Sequence, residues 1–406
     1  MGPERRHFIR NTRIALERAA PGLRSILERE TRRTAESVDR ELRQTLRYLD
    51  SLNEAADTLH FGEPYGEALW IGSSVWPVFY GIQLGLALLL TGNRPTWKPS
   101  EHVGASARHL HRELAAIDPH WASLCLREGD RELGRQLACS KVYSLVVFQG
   151  TYEAGMRVLQ DNLPQPGKEI LLFLGAKNPV ILLDDLFDDS RQALADEAFQ
   201  TVVKDCFSEG GQHCLGASVV FVPRHHLVAF TDRFAAEAAG HPIRLLDAAR
   251  QDRYLKFIGV AEKEGARLAL RGKPVPMEEG DPGVQPTISV FPELSPREFQ
   301  RSTLLQTEIS GPHVTLIGYG NSRELCSLVS GASYGLACAV HGRDPGSTRF
   351  WVREHARQLP FGTIRINGSL LESDPWKSGR PYGKSGNHGV TGEALFRGVT
   401  RSRAID

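Results

Sequence analysis

Apolar and polar positions along this chain follow two rhythms, one helical and one extended. From Phe8 to about Ala56 apolar side chains recur three and four apart (Val38, Leu42, Thr45 or Leu46, Leu49) with Arg and Glu opposite them, which predicts amphipathic helices. Pro21-Gly22 is expected to split this stretch in two. Short apolar runs then alternate with helical patterns. Leu69-Trp70-Ile71 precedes a helix over Pro77 to Leu90, and Arg94 to Lys98 precedes one opened by Pro99-Ser100-Glu101. Val103, Ala107, Leu110, Leu114 and Ile117 form the buried stripe of that second helix. Tyr143 to Phe148, Glu169 to Leu174 and Val180 to Leu183 continue the series. Strand and helix alternating at this spacing predict parallel sheets with covering helices, the α/β class.

Further along, a long helix is expected over about Arg191 to Phe207, and strands over Ser218 to Val222, Val314 to Ile317 and Thr363 to Asn367. Helices are expected at Arg233 to Ala239, Arg253 to Glu264 and Ser322 to Ser330. Residues 270–300 read as loops with short strands, and Ser378 to Gly392 as irregular.

Composition narrows the partners. The 406 residues are 41% hydrophobic and carry a formal charge of +1, which leaves no basic field for nucleic acid or an acidic membrane surface. Ala68 to Asn93 holds no charged residue and is long enough for a membrane span, but Gly72, Pro77, Gly81, Gly85 and Gly92 interrupt it, and it reads as a buried strand, a turn and a buried helix. Cys125, Cys139, Cys206, Cys214, Cys326 and Cys338 form no Cys-x-x-Cys pair, as expected of reduced thiols in a cytoplasmic protein.

Candidate chemistry is sparse. Gly150-Thr151-Tyr152-Glu153-Ala154-Gly155 is a turn from strand to helix where backbone amides could meet a phosphate, but no Walker lysine follows. Gly318-Tyr319-Gly320 lacks the third glycine of a dinucleotide fingerprint. Arg224-His225-His226 yields no metal site on this reading, because adjacent side chains of an extended chain point to opposite faces. Cys214, after the paired glycines Gly210-Gly211, is the candidate nucleophile, and His213 beside it is a candidate for tuning its pKa.

Seven segments in order are similar to motifs of the aldehyde dehydrogenase superfamily. They are Trp97-Lys98-Pro99-Ser100-Glu101, Phe148-Gln149-Gly150-Thr151, Leu174-Gly175-Ala176-Lys177-Asn178-Pro179, Gly211-Gln212-His213-Cys214, Glu308-Ile309-Ser310-Gly311-Pro312, Tyr334-Gly335-Leu336-Ala337 and Gly362-Thr363-Ile364-Arg365-Ile366-Asn367. The ending Gly383-Lys384-Ser385-Gly386-Asn387-His388 resembles the succinylglutamate-semialdehyde dehydrogenase branch. The resemblance implies two Rossmann-type three-layer α/β/α domains: an NAD(P)-binding domain over 1–173, shortened at its N-terminus, a catalytic domain over 174–372 and a C-terminal return segment over 373–406. Carried over by position, Lys98 and Glu101 would hold the adenosine ribose, Gly150 and Thr151 the pyrophosphate, Leu174 and Gly175 the nicotinamide, and Glu308 its ribose. A carboxylate at 101 repels a 2′-phosphate, so NAD is expected ahead of NADP.

Two family positions depart from the pattern. The base that activates water against the thioester would stand at 173, where this chain has Phe; the oxyanion-hole Asn would stand at 75, where it has Val. The resemblance therefore implies an oxidoreductase working through Cys214 on an aldehyde or acyl thioester, transferring the acyl group or reducing a thioester rather than hydrolysing it. A protein partner or acyl carrier is compatible with that chemistry. The alternative is an inactive scaffold or partner subunit. The stretch before Gly66 is too short for the family's oligomerisation arm, so a dimer is expected before the standard tetramer.

Overall fold

The computed structural model describes residues 2–188, 192–277, 280–372, 374, 376–377, 379–389 and 392–401. Arg191 and Ser378, the first residues of two expected segments, lie outside that set. The chain forms two compact units, one of Met1–Leu174, Asp374–Arg380 and Ser385–Asp406, the other of Gly175–Ser373 and Pro381–Lys384.

The first unit is built on a five-stranded parallel sheet. Its strands lie in the order Cys125–Leu126, Arg94–Lys98, Glu67–Ile71, Leu145–Gly150, Glu169–Leu174. Strand order reverses between Glu67–Ile71 and Leu145–Gly150, and the crevice at the carboxyl ends on either side of such a switch point is where doubly wound sheets take ligands. Trp70 and Trp97 are register partners on adjacent strands and stack at 4.7 Å with 6° between their planes. Alternation decides each face of the last strand: Leu171 and Phe173 enter the large cluster under the N-terminal helices, while Ile170, Leu172 and Leu174 face the smaller cluster on the other side. The tail covers this edge strand. Ser385 C=O accepts from Leu174 N–H (3.0 Å), and Asn387 takes Leu172 N–H on Oδ1 (2.8 Å) and gives Nδ2–H to Ile170 C=O (2.9 Å). An open strand edge is thereby closed.

The N-terminal helices depart from expectation. Gly2–Thr31 is one helix running through Pro21, and the break falls at residues 32–34, where Arg32 takes φ +59 and Thr34 caps the helix Ala35–Ala55. Pro21 forfeits one backbone bond, but Gly22 next to it packs against the His109 ring with no room for a Cβ, so helix packing supports the helix where it runs through the proline. The uncharged stretch is a strand, a turn and the helix Pro77–Leu90 as expected, and among the described residues no helix is long and apolar enough to cross a membrane.

The second unit holds a seven-stranded sheet in the order Arg267–Leu270, Thr287–Phe291, His313–Tyr319, Ala217–Pro223, Asn178–Leu182, Ala337–His341, Thr363–Ile366. All neighbours are parallel except the first pair. Residues 270–300, expected to be mostly loop, include the fully buried strand Thr287–Phe291 and the helix Pro296–Arg301, which opens with a Ser295/Glu298 capping box.

Lys177 is a cost inside this unit. The residue is 5% exposed, its ammonium has no hydrogen-bond partner among the described residues, and it lines a small cleft with Phe221, Phe299, Leu305, Tyr334 and Phe361. Burial pushes its pKa down to about 8, against the pull of Glu308 and Glu264. Below pH 8 both folded and unfolded chains hold the proton, and the full cost of burying the charge is present. Between pH 8 and the unfolded value of 10.5 the unfolded chain binds more protons, so stability rises with pH, by about 3 kcal/mol for a shift of this size. Lys177→Met is therefore expected to raise the urea midpoint at pH 7 and to lose that advantage progressively between pH 8 and 10.5. Parallel wild-type and variant midpoints across that range would contradict it.

Candidate active site

The thiol turn begins where the helix Gln192–Phe207 ends. Gly210 and Gly211 take φ +64 and +62, the left-handed region that a side chain resists, and this reverses the chain ahead of Cys214. Gly211 has a second constraint: a Cβ there would run into the Gly311 carbonyl, and Gly311 N–H donates to Gly211 C=O at 2.9 Å. Two motifs a hundred residues apart in sequence are thus pressed together at their glycines.

Side chains then pin the turn on both flanks. Gln212 gives Nε2–H to Arg244 C=O (3.1 Å) and takes Leu246 N–H on Oε1 (3.0 Å). Asn178 donates through Nδ2 to the carbonyls of Cys214 (2.7 Å) and Gly216 (3.1 Å) and accepts Ala337 N–H on Oδ1 (3.2 Å). The pairing of Asn178–Leu182 with Ala217–Pro223 is bulged here, Asn178 facing Ala217 and Pro179 facing Val219, which bends the strand just after the thiol. Cys214 is half-buried. His213 is buried and accepts Leu215 N–H on Nδ1 at 3.0 Å. The expected thiol-tuning imidazolium would have to break this bond.

Glu308 lies on the same amino edge of the sheet. It accepts Ala176 N–H at 3.2 Å, and its carboxylate occupies the space that a Cβ on Gly175 would need. Gly175 and Glu308, expected as nicotinamide-side residues, are therefore in contact.

In the first unit the expected residues gather at the carboxyl edge. Lys98 is buried at the end of its strand with Nζ 3.9 Å from Glu101 Oε2, and burial holds its pKa below the usual lysine range. Burial opposes ionisation of Glu101 too, but its own backbone hydrogen bond, Arg131 and Lys98 outweigh this and keep the carboxyl below its usual range. The Arg131 contact (Nε to Oε1, 3.2 Å) had no sequence signal. Gly150 and Leu174 are register partners on adjacent strands. Thr151 caps the helix Tyr152–Asn162, so Gly155 lies inside that helix rather than in a phosphate turn, and it is glycine because Leu174 packs on it.

Both departures are built into the first unit. Phe173 is 6% exposed in the large apolar cluster. Val75 offers no side-chain donor, and its N–H is taken by Ser73 Oγ at 3.2 Å. The next residue, Trp76, holds φ +44 directly before Pro77, a strained conformation for a bulky side chain. Glu41, on a helix that the sequence marked only as a cover, is buried, pairs with Arg33, and accepts Val78 N–H (2.7 Å) and Phe79 N–H (3.1 Å) at the start of Pro77–Leu90. Asn178 and Gln212 were inside quoted motifs, but only the contacts give them roles.

Asn178→Ala would strip two carbonyls and one amide of their partner at once. The expected cost is about 3 kcal/mol, seen as a lower urea midpoint, together with a changed rate of Cys214 alkylation by iodoacetamide. An unchanged alkylation rate would mean that the turn is held without Asn178.

Residues 2–405 match the sequence profile described as the aldehyde dehydrogenase family. Among solved structures, the chain is similar to a Mycobacterium tuberculosis aldehyde dehydrogenase complexed with NAD+ (22% identity, TM-score 0.86, covering 98% of this chain and 84% of that one). It is similar also to an aldehyde dehydrogenase from Bacillus cereus in an NAD+ complex (23%, 0.85, 99% and 83%). A betaine aldehyde dehydrogenase from Staphylococcus aureus matches at 20% and 0.86, covering 98% and 82%. No branch is singled out by these likenesses. With the family profile spanning nearly the whole chain, this protein belongs to the aldehyde dehydrogenase family.

Proposed function

We propose that this chain is an NAD-linked oxidoreductase that works through Cys214 on an aldehyde or acyl thioester and passes the acyl group to a second thiol, or reduces a thioester, rather than hydrolysing it. The observation that carries the reading is the pairing of a firmly fastened thiol turn with an apolar residue, Phe173, at the family's base position. The Cys214 thiolate adds to the carbonyl carbon, giving a thiohemiacetal in the oxidative direction. Loss of hydride from that carbon leaves a thioester on the sulfur. Val75 supplies no side-chain donor to the oxyanion, which removes a contribution usually worth on the order of a hundredfold or more in rate. Phe173 cannot take a proton from water, so the acyl group stays on Cys214 until an acceptor thiol arrives.

The residues present suit the cofactor. Lys98 and Glu101 offer an ammonium and a carboxylate for a ribose diol at the carboxyl edge, Gly150 and Thr151 open a helix beside it, and in the second unit Glu308 offers a second carboxylate, lying against Gly175. Bound NAD supplies the hydride acceptor in one direction and, reduced, the donor in the other. Arg131 on Glu101 is the feature that would admit NADP, by turning to a 2′-phosphate. A dimer in a reducing, cytoplasmic setting suits the six thiols and the short stretch before Gly66. Kinship with the succinylglutamate-semialdehyde branch rests on six tail residues, two of which, Ser385 and Asn387, work here as an edge cover, so it speaks to ancestry and not to substrate.

Intact-mass measurement after incubation with an aldehyde and NAD+ is expected to show an acyl adduct on Cys214 that persists in buffer and is discharged by a small thiol such as pantetheine. Steady hydrolytic turnover would overturn the account of Phe173. No adduct from any aldehyde or acyl thioester, with no heat on titrating NAD or NADP in either redox state, would leave the scaffold reading.

A further inference from the structure

His225 and His226 were expected to point apart, and they do not. Arg224–His226 is a 3-10 turn rather than extended chain, and the two imidazoles lie on one side with ring centres 4.2 Å apart. Asp184 heads a second 3-10 turn, Asp184–Phe187, and its Oδ1 is 3.0 Å from His225 Nε2. One ligand atom from each of Asp184, His225 and His226 lies within 4.8 Å of the others. We propose that these three side chains form a binding site for a divalent transition ion of the zinc class, with a fourth position left to water.

The arrangement follows from topology. Asn178–Leu182 and Ala217–Pro223 are parallel neighbours, and the two turns continue from their carboxyl ends, so any ion held there ties two adjacent strand ends. The His226 ring is fixed in plane by stacking on Phe187 at 4.4 Å and 21°, which lowers the ordering cost of binding. Asp184 and His225 are exposed and can rotate to the roughly 3.4 Å ligand spacing that tetrahedral bonds of about 2.0–2.1 Å require. Neighbouring charges do not oppose it: Arg224 is drawn off by Glu324 (2.6 Å) and Glu293 (3.6 Å), and Asp185 accepts Arg343 N–H at 3.2 Å. Two imidazoles with one carboxylate favour zinc, cobalt, nickel or copper over magnesium or calcium, which prefer all-oxygen sites. The site is separate from the thiol chemistry, because Cys214 precedes the strand Ala217–Pro223 and the histidines follow it, roughly 20 Å apart at the rise of a strand.

Co²⁺ titration of the full chain, read by calorimetry and by visible d–d absorption, tests this. The expected result is about one equivalent bound with the intense bands of a tetrahedral site, displaced by Zn²⁺, and weakened at least about tenfold in each of His225→Ala, His226→Ala and Asp184→Asn. Cys214→Ser should bind as wild type does. These ligands are on the surface or half-buried, so the variants should keep the wild-type melting temperature without ion. Binding that survives His226→Ala, disappears in Cys214→Ser, or is not seen below about 1 mM Co²⁺ would overturn the site and leave His225 and Asp184 as an ordinary surface ion pair.

Discussion

The carboxamide of Asn178 is the constraint on which the second unit depends. It sits at the amino end of Asn178–Leu182, the strand between Ala217–Pro223 and Ala337–His341, and reaches both neighbours, donating to the thiol turn that leads into one and accepting from the first residue of the other. Three strand ends are registered by one side chain. Because its partners are backbone groups, the substitutions tolerated in the turn itself are restricted by shape rather than by chemistry. The adjacent bulge and the Gly211–Gly311 contact then settle the path of the chain into Cys214.

The two sheets offer opposite edges. In the first unit the chemistry-bearing residues follow their strands, as the switch-point rule expects of a nucleotide-binding sheet. In the second they precede them: Gly175 to Lys177 before one strand, Cys214 before the next, Glu308 before a third. The carboxyl edge of that second sheet is thereby left for Asp184 and the two histidines. A parallel sheet aligns all amino ends on one side, so motifs scattered over about 130 residues, from Gly175 to Glu308, converge there.

Phe173 and Val75 are not loose changes at a surface. Phe173 shares its face with Leu171 in the main core of the first unit, a placement worth about 1.5–3 kcal/mol, and a carboxylate put there would have to ionise among apolar side chains. Val75 precedes a strained Trp76 and a helix whose N-terminus is held by buried Glu41. The surroundings are packed around Phe173 and Val75 as they stand.

Most of the element order was legible, because apolar periodicity reports directly which face of a helix or strand is buried. Pro77–Leu90 and Arg94–Lys98 came out residue for residue. Where the reading failed, at Pro21, a contact distant in sequence had overridden a local preference: His109 packs against Gly22 and the helix runs on past the proline. By itself the sequence determined the family and the two departures at 75 and 173, since these are matters of residue identity in order. Only the tertiary structure decided that Asn178 and Gln212 pin the turn around Cys214, that Arg131 pairs with Glu101, and that two neighbouring histidines converge on Asp184. Each of those depends on a hydrogen bond or ring contact between segments, and the direction a side chain points is set by the neighbours the fold supplies.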